Sequence, residues 1–152
     1  MKKLKLYHID FARSAETVVW EYSLLPENDR IQMSSLLFEA TFDYQDTMKT
    51  YNFLVLADSQ QMSKYTEILQ NNMVLHFLHD WTEPILKDKV KIDNIEKNLD
   101  NSTLKIWEKF KTKLDEWLLL NQELDNVLDI ILEKGVDRLR DIDKKFLENY
   151  AK

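Results

Sequence analysis

The stretch MVLHFLHDW, residues 73–81, decides the fold of the first half of this chain. A short apolar run of this length suits a strand, but a helix continuing to Trp81 fits as well, because periodicity alone does not separate the two. As a strand it completes the order β-α-β-β-α-β and gives an α+β chain with a ferredoxin-like N-terminal unit. As a helix it makes the chain all-α. We favour the strand and keep the all-α fold as the alternative.

Upstream of this stretch, the hydrophobic pattern changes its period several times. Alternating apolar residues predict three strands, over 4–11, 38–44 and 49–57. Apolar residues at helical spacing predict helices that follow three start signals, Ser14, Pro26 and Asp58. We expect the second of these helices to bury Ile31, Leu36 and Leu37.

Downstream of it, the chain becomes denser in charge, and residues 87–101 form a polar stretch where we place a boundary. The division gives a small α+β unit over 1–86, a polar connection over 87–101 and an α-helical unit over 102–152. We expect Asn101 and Ser102 to cap the first helix of the helical unit. Its buried stripe has spacings of three and four residues: Leu104, Trp107, Phe110, Leu114, Trp117 and Leu118.

Two shorter helices are predicted on either side of Gly135, which suits a helix end. The buried side of the first is expected at Leu124, Val127, Leu128, Ile131 and Leu132. Residues 124–148, LDNVLDIILEKGVDRLRDIDKKFLE, combine a Leu/Ile-rich helix, Lys-Gly and a final acid-Lys-Lys-Phe-Leu. Over 124–150 this pattern resembles a short helical hairpin tail found after rhomboid-type proteases and on many unrelated bacterial proteins.

The same tail departs from that pattern at two positions. Arg138 and Arg140 stand where the pattern usually has a Ser and a helix-capping Ser or Thr, so we expect Asp141 to cap the last helix. The resemblance implies an attachment or interaction device and carries no catalytic residue.

The composition excludes several classes of enzyme. The chain has 152 residues, with 21 Lys and Arg against 27 Asp and Glu, a net charge of −6, one Gly and no Cys. Without Cys there is no thiol nucleophile, no Cys-ligated zinc and no iron–sulfur cluster. With a single glycine there is no phosphate-cradling loop and no dinucleotide fingerprint. We therefore expect no cofactor.

Nothing in the sequence indicates export or a membrane span. The apolar residues behind the Lys-rich start are interrupted by His8, Asp10 and Arg13, so no signal-peptide core forms. No segment approaches the ~20 apolar residues that a membrane span needs. We expect a cytoplasmic protein, in the host cytoplasm or the virion if the chain is phage-encoded.

One cluster has the residue types of a metal site: His76, His79, Asp80 and Glu83. On a helix their spacing places all four on one side, as a site of two histidines and two carboxylates requires. On a strand His76 and His79 point to opposite sides and the site is lost. Because we favour the strand, we expect partly exposed structural histidines and no metal.

Two further features are candidates for binding a partner. Trp81 has polar flanks and is the tryptophan we expect nearest the surface, where tryptophans often anchor interfaces. Lys105, Lys109 and Lys113 lie opposite the apolar stripe of their helix. Lysines over 87–113 could follow a phosphate backbone, but acidic residues interrupt them, so we do not expect nucleic-acid binding.

These exclusions leave a non-enzymatic interaction protein as the leading hypothesis. We expect an assembly subunit or adaptor of a larger bacterial or phage complex, whose partner is another protein or a second copy of the chain. One alternative is an acidic inhibitor or immunity-type protein that occupies a basic partner. The other is a metal-dependent hydrolase that uses His76, His79, Asp80 and Glu83.

Overall fold

Four strands and eight α-helices form the part of the chain that the computed structural model describes, residues 3–152. The strands are β1 (Lys5–Asp10), β2 (Ala40–Gln45), β3 (Tyr51–Ala57) and β4 (Phe77–Asp80). The helices are α1 (Ala15–Ser23), α2 (Glu27–Ser35), α3 (Ser59–Asn71), α4 (Thr82–Leu86), α5 (Asp93–Glu96), α6 (Asn101–Asn121), α7 (Leu124–Lys134) and α8 (Asp141–Tyr150), with a 3₁₀ turn, Val136–Arg138, before α8. The predicted α+β class is confirmed, and residues 73–81 contain a strand.

The four strands form one sheet in the order β2-β3-β1-β4, and each neighbouring pair is antiparallel. The central strand β1 pairs with β3 along its whole length. On its other side, β1 pairs with β4 from Tyr7 opposite Asp80 to Asp10 opposite Phe77. The sheet edges within the described chain are therefore β2 and β4.

One side of the sheet, which we call the α3 face, is covered by α1 and α3. Successive strand residues point to opposite sides, so Tyr7 and Ile9 of β1 share this face with Val55 of β3. They pack with Val18 of α1 and Leu69 of α3 in one cluster of buried residues. The alternation of apolar side chains along β1 and β3 thus produces this half of the core, as predicted.

The other side, the α6 face, is covered by the long helix α6. Leu6, Leu54 and Phe42 from the strands join the apolar stripe of α6 in a second cluster of buried residues. The ring centroids of Phe42 and Trp107 lie 5.0 Å apart in an edge-to-face arrangement, which aromatic pairs prefer. The sheet is therefore a middle layer between two helical layers.

Residues 87–101 lead from α4 to α6 and are themselves packed. Ile92 is buried in the cluster of the α6 face, with Val90, Ile95 and Leu99 against it. The segments on either side of the connection thus contribute to one core. That residues 1–86 and 102–152 are separate folding units stays a prediction.

Side-chain caps set the starts of three helices. The Ser14 hydroxyl accepts from the Thr17 amide at the start of α1, and Asp58 forms a full capping box with Gln61 at the start of α3. The cap of α6 is Asp100, one residue earlier than we predicted, because its carboxylate accepts from the Thr103 amide at 2.8 Å.

Two predicted apolar faces are rotated from their expected positions. In α2, Ile31 and the following Leu37 are exposed, while Met33 and Leu36 pack on the α3-face cluster. Ile31 and Met33 are two residues, or about 200°, apart around the helix, so only one of them can face the core. In the tail, the predicted Val127 is buried and the predicted Ile131 packs against it, but Leu128 and Leu132 are exposed and α7 buries Ile130 in their place. In each helix, the tertiary contact selects one of two available apolar stripes.

Candidate interaction surface

The edge strand β4 is the most exposed part of the sheet. All four of its residues are exposed, including the apolar Phe77 at 49% and Leu78 at 41%. Within the described chain β4 pairs with β1 alone, so its second edge faces solvent. An exposed strand edge with apolar side chains is a template for pairing with another chain.

The direction of the β4 backbone groups follows from the hydrogen bonds of β1. The Trp81 amide donates to the Leu6 carbonyl at 2.8 Å, just beyond the strand pairing. Antiparallel partners alternate between bonded and non-bonded pairs, so His79 and Phe77 bond to β1 while Leu78 and Asp80 do not. The amides and carbonyls of Leu78 and Asp80 therefore point to the free edge.

The opposite side of β1 supports this alternation. The Phe11 amide donates to the Tyr51 carbonyl at 3.1 Å, which places the odd-numbered residues of β1 in bonded pairs with β3. The even-numbered residues of β1 are then left for β4, in agreement with the bond from Trp81 to Leu6.

Trp81 supports β4 from the α6 face and is half-buried. The prediction that it is the tryptophan nearest the surface is wrong, because Trp20 of α1 is 62% exposed. The Trp81 ring is stacked on that of His8, with centroids 4.1 Å apart and planes 10° apart, and His79 stacks on the same imidazole at 5.5 Å. The residue also stands at the start of α4. Trp81 therefore fixes the position of β4, and as a direct contact for a partner it stays a prediction.

His8 is buried and stacks against the rings of Trp81 and His79. The Asn52 amide nitrogen donates to the Thr50 carbonyl, so Asn52 Oδ1 accepts from His8 Nε2 at 2.8 Å. His8 Nδ1 is buried and has no hydrogen-bond partner among residues 3–152. Burial lowers the pKa of His8, and His79 lowers it further, although the bond to Asn52 acts in the opposite direction.

The four candidate metal ligands are not brought together. His79 and Asp80 are neighbours on β4, His76 precedes the strand with Nδ1 2.8 Å from the Val74 carbonyl, and Glu83 lies 3.8 Å from Lys87. Because β4 is a strand, the single helical stripe that the site required does not exist. In residues 3–152, no group of three or more His, Cys, Asp or Glu side chains is placed to hold a metal ion.

The three candidate lysines form an exposed stripe along α6. Lys105, Lys109 and Lys113 are all exposed and lie one helical turn apart. The Lys113 ammonium lies 3.6 Å from the Glu39 carboxylate, which precedes β2. Exposed pairs of this kind contribute little to stability. Lys105 and Lys109 are exposed and remain available for a partner.

A cavity of about 960 Å³ lies between α6, the 88–93 loop and the C-terminal hairpin. Its lining has mixed charge: Asp88, Lys91, Asp93, Lys111, Asp115, Glu116, Lys134, Arg138, Arg140, Asp141 and Lys145. Several of these side chains already form ion pairs with one another, such as Lys134 with Asp88 at 2.7 Å. The lining therefore favours no single ligand charge.

A buried polar network at this cavity attaches the hairpin. Asp143 accepts from Arg140 Nε and from Gln122 Nε2, each at 2.7 Å, and Arg140 also donates to the Ile85 carbonyl at 2.7 Å. Arg140 holds the cap position of α8 without capping it, so the predicted cap at Asp141 is wrong. This network was not predicted from the sequence, although an acidic residue on the apolar stripe of α8, at 143, was a visible signal.

The comparisons with known proteins give no match, whether with family models, curated proteins or solved structures. Among residues 3–152, the structure contains no helix with the length and apolar character needed to cross a membrane. The tail resemblance over 124–150 stays a prediction, as does every function considered above.

Proposed function

We propose that this chain is a protein–protein interaction protein, an assembly subunit or adaptor, and that the β4 edge is its contact surface. The observation that carries the proposal is the row of outward backbone groups at Leu78 and Asp80, flanked by exposed apolar side chains. Addition of a strand at such an edge gives affinity through main-chain hydrogen bonds and specificity through alternate side chains.

The fold assignment that underlies this proposal is the ferredoxin-like one. Its support is the order β-α-β-β-α-β with α1 and α2 counted as one connection, and the position of β1 between β3 and β4. In this arrangement β4 is the last strand along the chain and lies at an edge of the sheet. The exposure of β4 is then a consequence of topology.

The structure offers less support for the alternative functions. The inhibitor hypothesis depends on the net charge of −6, which specifies no surface. The hydrolase hypothesis required four ligands on one helical stripe, and residues 77–80 are a strand. For the bacterial or phage setting and the cytoplasmic location, the support is the tail resemblance and the absence of Cys.

The test is panning of a phage-displayed library of random peptides against wild-type protein and against Leu78→Pro. The Leu78 amide points away from β1, so proline there leaves the bonds to β1 intact, as is tolerated on edge strands. We expect enriched peptides with apolar residues at alternate positions that bind wild type and not the variant. Enrichment of no peptide that distinguishes the two proteins would refute the proposal, provided that both give the same far-UV circular dichroism.

A further inference from the structure

We infer that the partner of the β4 edge is a second copy of this chain, paired antiparallel to the first about a two-fold axis at Leu78. The inference rests on the proposed function, because it names the partner of the same surface. A two-fold axis beside an edge strand brings that strand against itself in the reverse direction, which is an isologous interface. The product is a continuous sheet of two four-stranded halves.

The backbone amides and carbonyls that face the free edge fit this pairing. With Leu78 opposite Leu78 of the second copy, His76 lies opposite Asp80, and Asp80 opposite His76. These residues differ by two, so continuing the alternation of β4 to His76 turns the amides and carbonyls of all three toward the free edge. All three cross-copy pairs are therefore of the hydrogen-bonded kind.

The side chains are complementary in the same register. Each His76 faces an Asp80 carboxylate, to which Nε2 donates in the imidazolium form, because Nδ1 already bonds to the Val74 carbonyl. The same carboxylate lies 3.8 Å from the Lys5 ammonium of its own copy.

Each Phe77 ring faces the His79 ring of the second copy in a non-bonded pair, where side chains lie closer. Leu78 meets itself at the axis. Because the axis is two-fold, the contact of His76 with Asp80 and that of Phe77 with His79 each occur twice in the dimer.

The two other registers that put a hydrogen-bonded pair on the axis are worse. An axis at Asp80 places the two Asp80 carboxylates opposite one another, and like charges in this position are destabilising. An axis at His76 likewise places two histidines together and leaves each Asp80 without an opposite partner. β4 also contains no Pro and no Lys, two residues with which edge strands commonly avoid pairing. Among the registers with a hydrogen-bonded pair on the axis, the favoured one is thus centred on Leu78.

The size of the contact sets the expected affinity. Five residues per copy make a small interface, in the class below about 1,200 Å² that is typical of weak and transient complexes. We expect a reversible dimer with a Kd between about 1 µM and about 1 mM. The dimer must therefore be measured over that range of concentration.

The experiment is sedimentation equilibrium of the full chain and three variants. His76→Asp places two pairs of carboxylates across the axis, and Asp80→Lys removes the carboxylate that faces each His76 and puts an ammonium in its place. We expect each variant alone to dimerise about tenfold more weakly than wild type. The matched control is Leu120→Lys, a change at an exposed leucine of α6, and its Kd should equal that of wild type.

The decisive sample is an equimolar mixture of the His76→Asp and Asp80→Lys proteins. In the mixed dimer, one cross-copy pair joins the introduced carboxylate at position 76 to the introduced ammonium at position 80, and the other is the original His76 with Asp80. We expect the Kd of the mixed dimer to return to within about threefold of wild type. Only antiparallel pairing with position 76 opposite position 80 gives this rescue.

Three results would overturn the inference. They are a wild-type protein that stays monomeric up to about 1 mM, a mixture that associates no better than its components, and a dimer that survives Leu78→Pro. If the protein is monomeric but peptides still bind wild type and not Leu78→Pro, the proposed function stands and the partner is a different protein. If both experiments fail, the proposed function falls too.

Discussion

Replacing Asp143 with alanine should detach the C-terminal hairpin from the rest of the fold. Asp143 is 1% exposed and holds two donors, Arg140 Nε and Gln122 Nε2. Without its carboxylate, Arg140 Nε loses its acceptor, and Gln122 Nε2 keeps only the Leu86 carbonyl at 2.9 Å. A buried donor without an acceptor costs far more than the hydrogen bond contributed when it was formed.

The expected loss can be estimated from the contacts that remain. Removing one partner of a buried ion pair costs about 3–5 kcal/mol. Arg140 keeps its bond to the Ile85 carbonyl and its ion pair with Asp88 at 3.8 Å, so the lower limit applies. We expect Asp143→Ala to lower the free energy of unfolding by about 3 kcal/mol, or the melting temperature by about 6–12 °C for a chain of this size.

The assay is urea unfolding at neutral pH, followed by tryptophan fluorescence and by far-UV circular dichroism. The control is Asp141→Ala, an exposed acid in the first turn of the same helix, which should cost less than about 1 kcal/mol. A loss below about 1 kcal/mol for Asp143→Ala would refute the reasoning, because the network would then not be what holds the hairpin.

Three further predictions concern the rest of the fold. Met73→Gly should stabilise the protein by about 0.5–1 kcal/mol in urea unfolding, because exposed Met73 has φ +56° at the end of α3, where glycine is not strained; a destabilised variant would contradict this. The pKa of His8 is lowered by burial, so the unfolded chain binds more protons: stability should be full above about pH 6.5 and fall below it. His8→Phe, which keeps the ring stack, should flatten that slope, and an unchanged slope would show that another group causes it. Trp107→Ala should cost about 3–5 kcal/mol and leave one cooperative transition; separate transitions would show that α6 and the sheet unfold independently.

Much of this fold follows from local patterns. The alternation in β1 and β3 and the apolar stripe of α6 predicted which side chains are buried, because each pattern repeats with the period of its own element. The caps Ser14 and Asp58 were equally visible, since a cap bonds to residues two or three positions away. The residues that determine a strand alternation, a helix stripe or a helix cap all lie within one short segment of the chain.

The candidate surface depends on contacts that no short segment contains. The exposure of Leu78 results from the place of β4 at the sheet edge, which is set by the order of all four strands. The partners of Asp143 come from different elements, Gln122 after α6 and Arg140 before α8. The exposure of Ile31 follows from the choice between two stripes of α2, which the packing on α3 decides. Each of these outcomes depends on contacts between elements that are distant in the sequence.

Hydrogen exchange at the amides of β4, read by NMR at a low and a high protein concentration, tests the central claim most directly. Phe77 and His79 bond to β1 and should be protected at both concentrations, while Leu78 and Asp80 should become protected only as the concentration rises. Exchange at Leu78 and Asp80 that stays fast when the protein is concentrated would contradict edge-to-edge pairing of two copies.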